Sequence, residues 1–291
     1  MDLVTVTNDV FAPCVFNLLE SYKKFSCNED VYVVYYDLKE EYINLLKQVY
    51  KNQINFVKVE EECEHAYNSR YYFPKGYALK FAAKNLKQFA ICDASHAFLK
   101  KTYELEYFLE KDTRFFIEYP EEIFKNKYWS TTKSLVLSGM NNEETKNSQS
   151  YWSGFHAYVA TDENKEMLNE QYKLMLLKDV AGPSNLLNKP DGINSECIAH
   201  RNDQTVLSLM IHKYKFRQPF ELDKYNKYGD IQTAYLMLPQ VYKKMSSAKT
   251  ILYSRYSKNN NFSFIDKKIL QQIEEIDNIY KINRNTGDCH E

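Results

Sequence analysis

Along the first hundred positions the apolar residues recur with two alternating periods. Leu3 to Thr7 is a short β-branched run, and the stretch behind it puts Val15, Leu18, Leu19 and Tyr22 on one helical face. Val31 to Tyr36 is an unbroken apolar run ending on Asp37, the pattern of a strand covered on both faces. Glu40 to Tyr50 is a charged, leucine-bearing helix, and Asn55 to Val59 reads as a third strand. Tyr77 to Leu86 is helical again, and Gln88 to Cys92 is a strand closing on Asp93. This alternation predicts an α/β fold with a mostly parallel central sheet and helices on both faces.

Beyond residue 100 the rhythm loosens. Tyr103 to Glu110 has helical spacing, Arg114 to Glu118 looks extended, and Asn141 to Ser150 is polar without a period and so reads as a loop. Phe155 to Ala160 predicts a strand and Asn164 to Lys178 a helix, while Ala181 to Ser195 carries Gly-Pro and Pro-Asp-Gly turn signals. Asp203 to Tyr214 is a helix with Leu207, Met210, Ile211 and Tyr214 at core spacing, and a last helix aligns Ile269, Ile273, Ile276 and Tyr280. No repeat or flexible linker interrupts the chain. It divides into one unit over residues 1–239, with halves at about 1–100 and 101–239, and a helical extension over 240–291.

Charge narrows the classes of partner. Thirty-eight Lys and Arg against thirty-nine Asp and Glu leave a formal net charge of -1, without the broad basic signature of a nucleic-acid binder. The stretch 242–258 is locally basic and aromatic (Lys243, Lys244, Lys249, Arg255 and Lys258 among Tyr242, Ile251, Leu252, Tyr253 and Tyr256), a pattern suited either to an ordinary solvated helix or to peripheral contact with an anionic membrane or lipid-linked molecule. Six scattered cysteines (Cys14, Cys27, Cys63, Cys92, Cys197, Cys289) fit free thiols in a reducing compartment. The opening residues lack a signal-peptide pattern, and no apolar run approaches the roughly 18–20 residues of a membrane span. The expectation is a soluble, cytoplasmic protein.

In an open α/β sheet, ligands bind beyond the carboxyl ends of the strands. Those ends read Thr7-Asn8-Asp9, then Asp37, then Asp93-Ala94-Ser95-His96. No GxGxxG follows the first strand and no GxxxxGK[ST] occurs, which disfavours dinucleotide dehydrogenases and P-loop enzymes. His65, His156, His200, His212 and His290 form no zinc-type spacing, no GxSxG marks a serine nucleophile, and Cys92 falls inside an apolar strand. Each acid also has a plainer reading. Asp9 and Asp37 suit strand ends and turns, Asp93 and Ser95 a turn or helix cap, and Asp203 the cap of the helix it precedes.

Four segments in order resemble the GT-A-fold glycosyltransferases, including the glycogenin-like enzymes and related bacterial galactosyltransferases. VTVTNDVFAPCVFNLLESYKKF followed by VYVVYYDL looks like their nucleotide-binding half, and GYALKFAAKNLKQFAICDAS is similar to their lysine, helix and DxD-terminated strand. SYWSGFHAYVATDENKEML resembles the small-residue strand of the acceptor half, and HRNDQTVLSLMIHKY the Asp-Gln element with its apolar helix. The resemblance spans roughly residues 2–220.

What the resemblance implies is an enzyme moving a sugar from a nucleoside-diphosphate donor, UDP being the expected nucleotide, to a hydroxyl of a glycan or lipid-linked acceptor. Thr7, Asn8, Asp9 and Asp37 would meet the nucleoside, and Lys80 and Arg201 the phosphates or ribose. Ser153 and Gly154 would line the sugar pocket, and Asp203 and Gln204 would lie at the reaction centre. Asp93 would hold Mn2+ or Mg2+ against the diphosphate. The sequence departs from the pattern at Ser95, where a second acid is expected; the Ser95 hydroxyl or His96 would have to complete the metal site. That departure keeps alive a catalytically idle carbohydrate- or nucleotide-binding module. A sugar nucleotidyltransferase is the other alternative, although Asn8-Asp9-Val10-Phe11 stands where such enzymes carry a glycine-rich basic loop. No residue is marked as a general base, so retention and inversion of configuration are both open.

Overall fold

The computed structural model describes residues 1–25, 30–60, 62–68, 71–98, 103–119, 121–182, 195–216, 236–237 and 267–280. The basic stretch 242–258, most of the loop 181–195, Cys27, Cys289 and His290 lie outside the described residues. Cys14, Cys63, Cys92 and Cys197 form no disulfide with one another.

A six-stranded sheet organises the fold, in the order β3-β2-β1-β4-β7-β6. The strands are β1 (Asp2–Thr7), β2 (Val31–Tyr35), β3 (Ile54–Lys58), β4 (Gln88–Cys92), β6 (Arg114–Glu118) and β7 (Tyr151–Val159). β1 pairs in parallel with β2 and β4, and β2 in parallel with β3. β7 runs antiparallel to both β4 and β6, so β6 points the same way as the first four. The predicted mostly parallel sheet is therefore present, with one reversed strand set into it. A two-stranded ladder of β5 (Ala97–Phe98) and β8 (Leu236–Met237) lies apart from it.

Strand side chains alternate between two cores. Leu3, Val31, Val33, Ala90, Phe115 and Phe155 face a core built with α1 (Ala12–Phe25) and α2 (Glu40–Tyr50). Val4, Val34, Phe89, Ile91, Phe116 and Tyr158 face a second core, built with α3 (Phe73–Asn85), α8 (Asp162–Met175) and α10 (Asn202–Lys213). Burial on both faces explains the unbroken apolar runs of β2 and β4. The terminal helix, α11 (Lys267–Tyr280), inserts Ile273 and Ile276 into the first core beside α2.

Several helix boundaries follow from capping. Thr161 accepts a hydrogen bond from the Asn164 amide, and Asp162 and Glu163 fill the first turn of α8, where the exposed amides favour negative charge. The polar stretch expected to be a loop at Asn141 to Ser150 instead contains a short helix, α7 (Glu143–Asn147). It forms because Asn142 accepts from the Thr145 amide at 2.8 Å, a local cap that periodicity does not reveal. The remaining short helices are α4 (Tyr103–Asp112), α5 (Asn126–Trp129), α6 (Thr132–Leu137) and α9 (Lys178–Ala181). α10 is buried around its whole circumference from Asn202 to Ile211, which its apolar stripe alone did not require.

Two histidines in the second core are buried neutral. Neither ring nitrogen of His156 has a hydrogen-bond partner; burial, reinforced by the Lys75 charge, pushes its pKa down to about 3. Burial pulls His200 down to about 4, against the opposing effect of its Nε2 contact with the Val180 carbonyl at 2.6 Å. The unfolded chain protonates both near the ordinary 6.5. The folded pKa values are the lower ones, so stability is complete above pH 6.5 and falls as pH drops toward 4. Each ring adds a slope of up to about 1.4 kcal/mol per pH unit. Urea midpoints are accordingly expected to fall between pH 6.5 and 4.5, and His156→Leu to flatten that slope. An unchanged slope in the variant would remove His156 from the account.

Candidate active site

The carboxyl ends of β1, β2, β3, β4 and β6 and the amino end of β7 form one edge of the sheet. Pairing between β6 and β7 slips there, from Phe115↔Ala157 to Ile117↔Trp152, so β7 bulges at Ser153 to His156. On its other side β7 keeps its register with β4, and the Gly154 carbonyl accepts from the Asp93 amide at 2.9 Å, one step beyond Cys92↔Phe155. Strand β4 thus hands over to the site beside an irregular strand.

The centre of this edge is Lys75. It sits in the first turn of α3, two residues after Phe73 and directly after Pro74, whose fixed φ suits a helix start. Its ammonium lies 2.7 Å from Asp93 Oδ1 and 2.6 Å from Asp203 Oδ2, and donates to the Ser153 carbonyl at 3.2 Å. An ammonium has three protons, and all three have acceptors. Burial alone would discharge the amine, but attraction to Asp203 and Asp93 and its hydrogen bonds to them raise the Lys75 pKa well above its ordinary value. Asp203 and Gln204 reach the edge because Asn202, at φ 42°, turns the chain left-handed just before them, a conformation asparagine tolerates.

Of the expected site residues, Asp93, Asp203 and the backbone of Ser153 meet at Lys75. Lys80 is not part of that group. One and a half turns further along α3, it pairs with Glu62 at 3.2 Å and lies over the Tyr172 ring at 4.1 Å. Lys75 was missed because the periodic apolar pattern starts at Tyr77, leaving "FPKG" outside the predicted helix. The sequence signal available was Pro74, a helix-start residue just ahead of the lysine.

Thr7, Asn8, Asp9 and Asp37 gather at the neighbouring ends of β1 and β2. Asn8 is committed to the fold: its Oδ1 accepts from the Phe11 amide at 3.2 Å and its Nδ2 donates to the Tyr36 hydroxyl at 3.1 Å. Asp9 Oδ1 accepts at 2.6 Å from the amide of Lys39, the residue preceding α2, and so ties the end of β1 to the start of that helix. Asp37 is exposed at φ 44°, with its carboxylate directed to no described partner. Ser95 Oγ contacts His96 Nδ1 at 3.2 Å within the turn after β4.

Gly154 differs in role from the sequence expectation. A Cβ placed there would lie 2.3 Å from the Trp152 indole, so the missing side chain makes room for that ring rather than for a ligand. Arg201 does not touch the Lys75 group either. Its guanidinium lies over Trp129 at 4.0 Å and over Phe124 at 5.0 Å. Gln204 Oε1 accepts from the Tyr119 hydroxyl at 3.4 Å, while its buried Nε2 has no partner.

Asp93, Asp203 and Lys75 together carry one net negative charge, so a diphosphate approaching them would be repelled unless more positive charge came with it. Asp93 is one-third exposed (33%), and its second oxygen has no partner among the described residues. No three His, Cys, Asp or Glu side chains converge on a cation site among the described residues. A magnesium-like ion keeps several waters and takes one or two carboxylates together with phosphate oxygens. Asp93 is a carboxylate suited to that sparse arrangement, while the Ser95 hydroxyl two residues on contacts His96. Cys92 does not enter the chemistry; burial drives its thiol pKa up.

No family model matches the sequence, and no curated protein matches it. Among solved structures, an active-site mutant of LgtC is similar at 10% identity and a TM-score of 0.46, over 78% of this chain and 84% of that one. Core-mannan synthase A from Aspergillus fumigatus, in a Mn/GDP form, is similar at 9% identity and a TM-score of 0.43, over 72% of this chain and 68% of that one. The bifunctional glycosyltransferase WbbM, in its apo form, is similar at 11% identity and a TM-score of 0.42; 59% of this chain matches 34% of WbbM, about a third of its length. The mixed α/β fold itself is fixed by the sheet order and strand directions.

Replacing Lys75 with Met leaves Asp203 buried beside an unprotonated neighbour, a change expected to cost about 3–5 kcal/mol. Adding Asp203→Asn to Lys75→Met is expected to return most of that loss. Urea denaturation of both variants measures it, and a Lys75→Met protein as stable as the parent would mean that the ion pairs contribute nothing to the fold.

Proposed function

We propose that this chain is a glycosyltransferase moving a sugar from a nucleoside-diphosphate donor, with UDP the expected nucleotide, to a hydroxyl of a glycan or lipid-linked acceptor. The observation that carries the reading is the Lys75–Asp93–Asp203 group at the carboxyl edge of the sheet, with Gln204 beside it. It sets a buried lysine and a buried aspartate beside a partly exposed aspartate at the place where an α/β sheet receives ligands. Exposed Asp37, at the adjoining end of β2, is positioned for the nucleoside.

In this reading Asp93, with Ser95, holds Mn2+ or Mg2+. Such an ion, when bound, offsets the charge of the departing diphosphate. Lys75 holds Asp93 and Asp203 in place before the donor arrives, which removes reorganisation from the reaction. Asp203 and the Nε2 donor of Gln204 orient the transferred sugar. The idle binding module draws on one feature, Ser95 in place of a second acid, and turnover separates it from an enzyme.

The test is a calorimetric titration with UDP, GDP, CMP and dTDP, with and without manganese. Manganese-dependent binding of one nucleoside diphosphate is expected; binding of none would remove the transferase reading, and release of pyrophosphate from a nucleoside triphosphate supplied with a sugar 1-phosphate would point to nucleotidyl transfer. Asp93→Ala is expected to abolish turnover while keeping the parent's denaturation midpoint to within about 1 kcal/mol, since Lys75 keeps Asp203. Gln204→Ala is expected to lower turnover by one to two orders of magnitude, about 1.4–2.7 kcal/mol of barrier, with nucleotide affinity little changed. A large loss of nucleotide binding in that variant would move Gln204 from the sugar to the nucleotide.

A further inference from the structure

Beyond β6 the chain builds an aromatic wall that the donor reading does not use. Tyr119 follows β6 directly and stacks on Phe124 at 4.2 Å between centroids; Phe124 in turn stacks on Trp129 at 6.0 Å. The Trp129 indole donates to the Ile123 carbonyl at 2.6 Å, which fixes the ring's orientation. The segment carrying Arg201 is laced to the same helix. Ile198 N–H donates to the Tyr128 carbonyl at 2.8 Å, the Thr205 hydroxyl to the Trp129 carbonyl at 2.6 Å, and the Arg201 amide to Thr205 Oγ1 at 3.2 Å. Arg201 is thereby held with its guanidinium over two rings before any ligand arrives.

Two features of this wall point to a ligand. Arg201 has no carboxylate partner among the described residues, whereas the neighbouring cations Lys125 and Lys127 are paired with Glu122 and Glu196. Gln204, only 7% exposed, aims an unpartnered Nε2 donor from the inner end of the same wall, where Tyr119 holds its Oε1. A planar guanidinium stacked on aromatic faces offers a fork of donors matched to a carboxylate or phosphate. The wall also stands on the β6 side of the sheet, two strands beyond β4, while the β1 and β2 ends lie on the other side of β4. An anion at Arg201 is therefore placed across the reaction centre from the nucleoside.

From this geometry we infer that the partly exposed Phe124, Trp129 and Arg201 line the acceptor subsite, with buried Tyr119 and Gln204 behind them at its junction with the transferred sugar, and that the acceptor sugar bears an anionic group received by Arg201. The inference rests on the transferase reading and departs from the sequence expectation that Arg201 serves the donor. An apolar sugar face packs on the partly exposed Phe124 and Trp129, and the anion meets the guanidinium. A uronic-acid carboxylate and a sugar phosphate present the same chemistry.

The test measures binding of methyl galactoside, methyl galacturonide and galactose 1-phosphate to the full chain, with and without UDP, by calorimetry and by the fluorescence of Trp129. Expected is at least tenfold tighter binding of one or both anionic sugars than of the neutral one, and loss of that advantage on adding salt. The carboxylate and phosphate arms tell the two sources apart. Arg201→Gln is expected to erase the advantage while keeping nucleotide affinity, and Arg201→Lys, which keeps charge without the stacked plane, to restore it only in part. Equal binding of the three sugars by the parent protein overturns the inference, as does an Arg201→Gln variant that loses nucleotide instead. A parent protein that binds no nucleotide yet still prefers the anionic sugars removes the transferase reading and with it the word acceptor, so the two failures are told apart.

Discussion

A single buried ammonium ties together four parts of the chain that are far apart in sequence. Lys75 joins the first turn of α3 to the end of β4 through Asp93, to the bulged start of β7 through the Ser153 carbonyl, and to α10 through Asp203. Breaking one arm of a buried ion pair strands a charge in a medium that cannot solvate it. The edge where the candidate chemistry sits is therefore held by the same contacts that hold sheet to helices. Under the proposed reading stability and function share one group, and the deep burial of Asp203 belongs to the first of these.

The sheet's irregular strand serves the same end. On its β4 side β7 keeps its register through Gly154, whose carbonyl meets the Asp93 amide; on its β6 side the pairing slips, and the Ser153 carbonyl goes to Lys75. Gly154 is needed because Trp152 folds over it, and that indole also stands beside His96 in the turn after β4. Backbone and ring thus settle the position of Asp93 from two directions.

Much of the architecture was legible in the residues. Four strands and three helices of the first half follow from period and burial, because parallel strands covered on both faces must read as apolar runs. Asp93 and Asp203 were visible as acids beside apolar elements. Lys75 was not, since a lysine just after Pro74 breaks no pattern and its partners are 18 and 128 residues away. Lys80 was the more conspicuous lysine, inside the periodic helix, yet Glu62 and Tyr172 claim it. The aromatic wall was equally hidden: Tyr119, Phe124 and Trp129 have no common period, and only the folding of 198–201 along 128–129 brings Arg201 over them.

The terminal helix has a consequence for how the chain comes together. Ile273 and Ile276 occupy the same core as Leu3, Val33 and Leu46, so the apolar layer under the first strands is completed by residues made about two hundred positions later. During synthesis β1, β2 and their helices leave the ribosome with that layer open, and it stays open until those residues emerge. At roughly 5–20 residues per second, the intervening two hundred or so residues mean about 10–40 seconds of exposure. The first half of this protein is an unfinished object for that interval, reliant on its own α1 and α2 and on whatever shields apolar surface in the cell until α11 arrives.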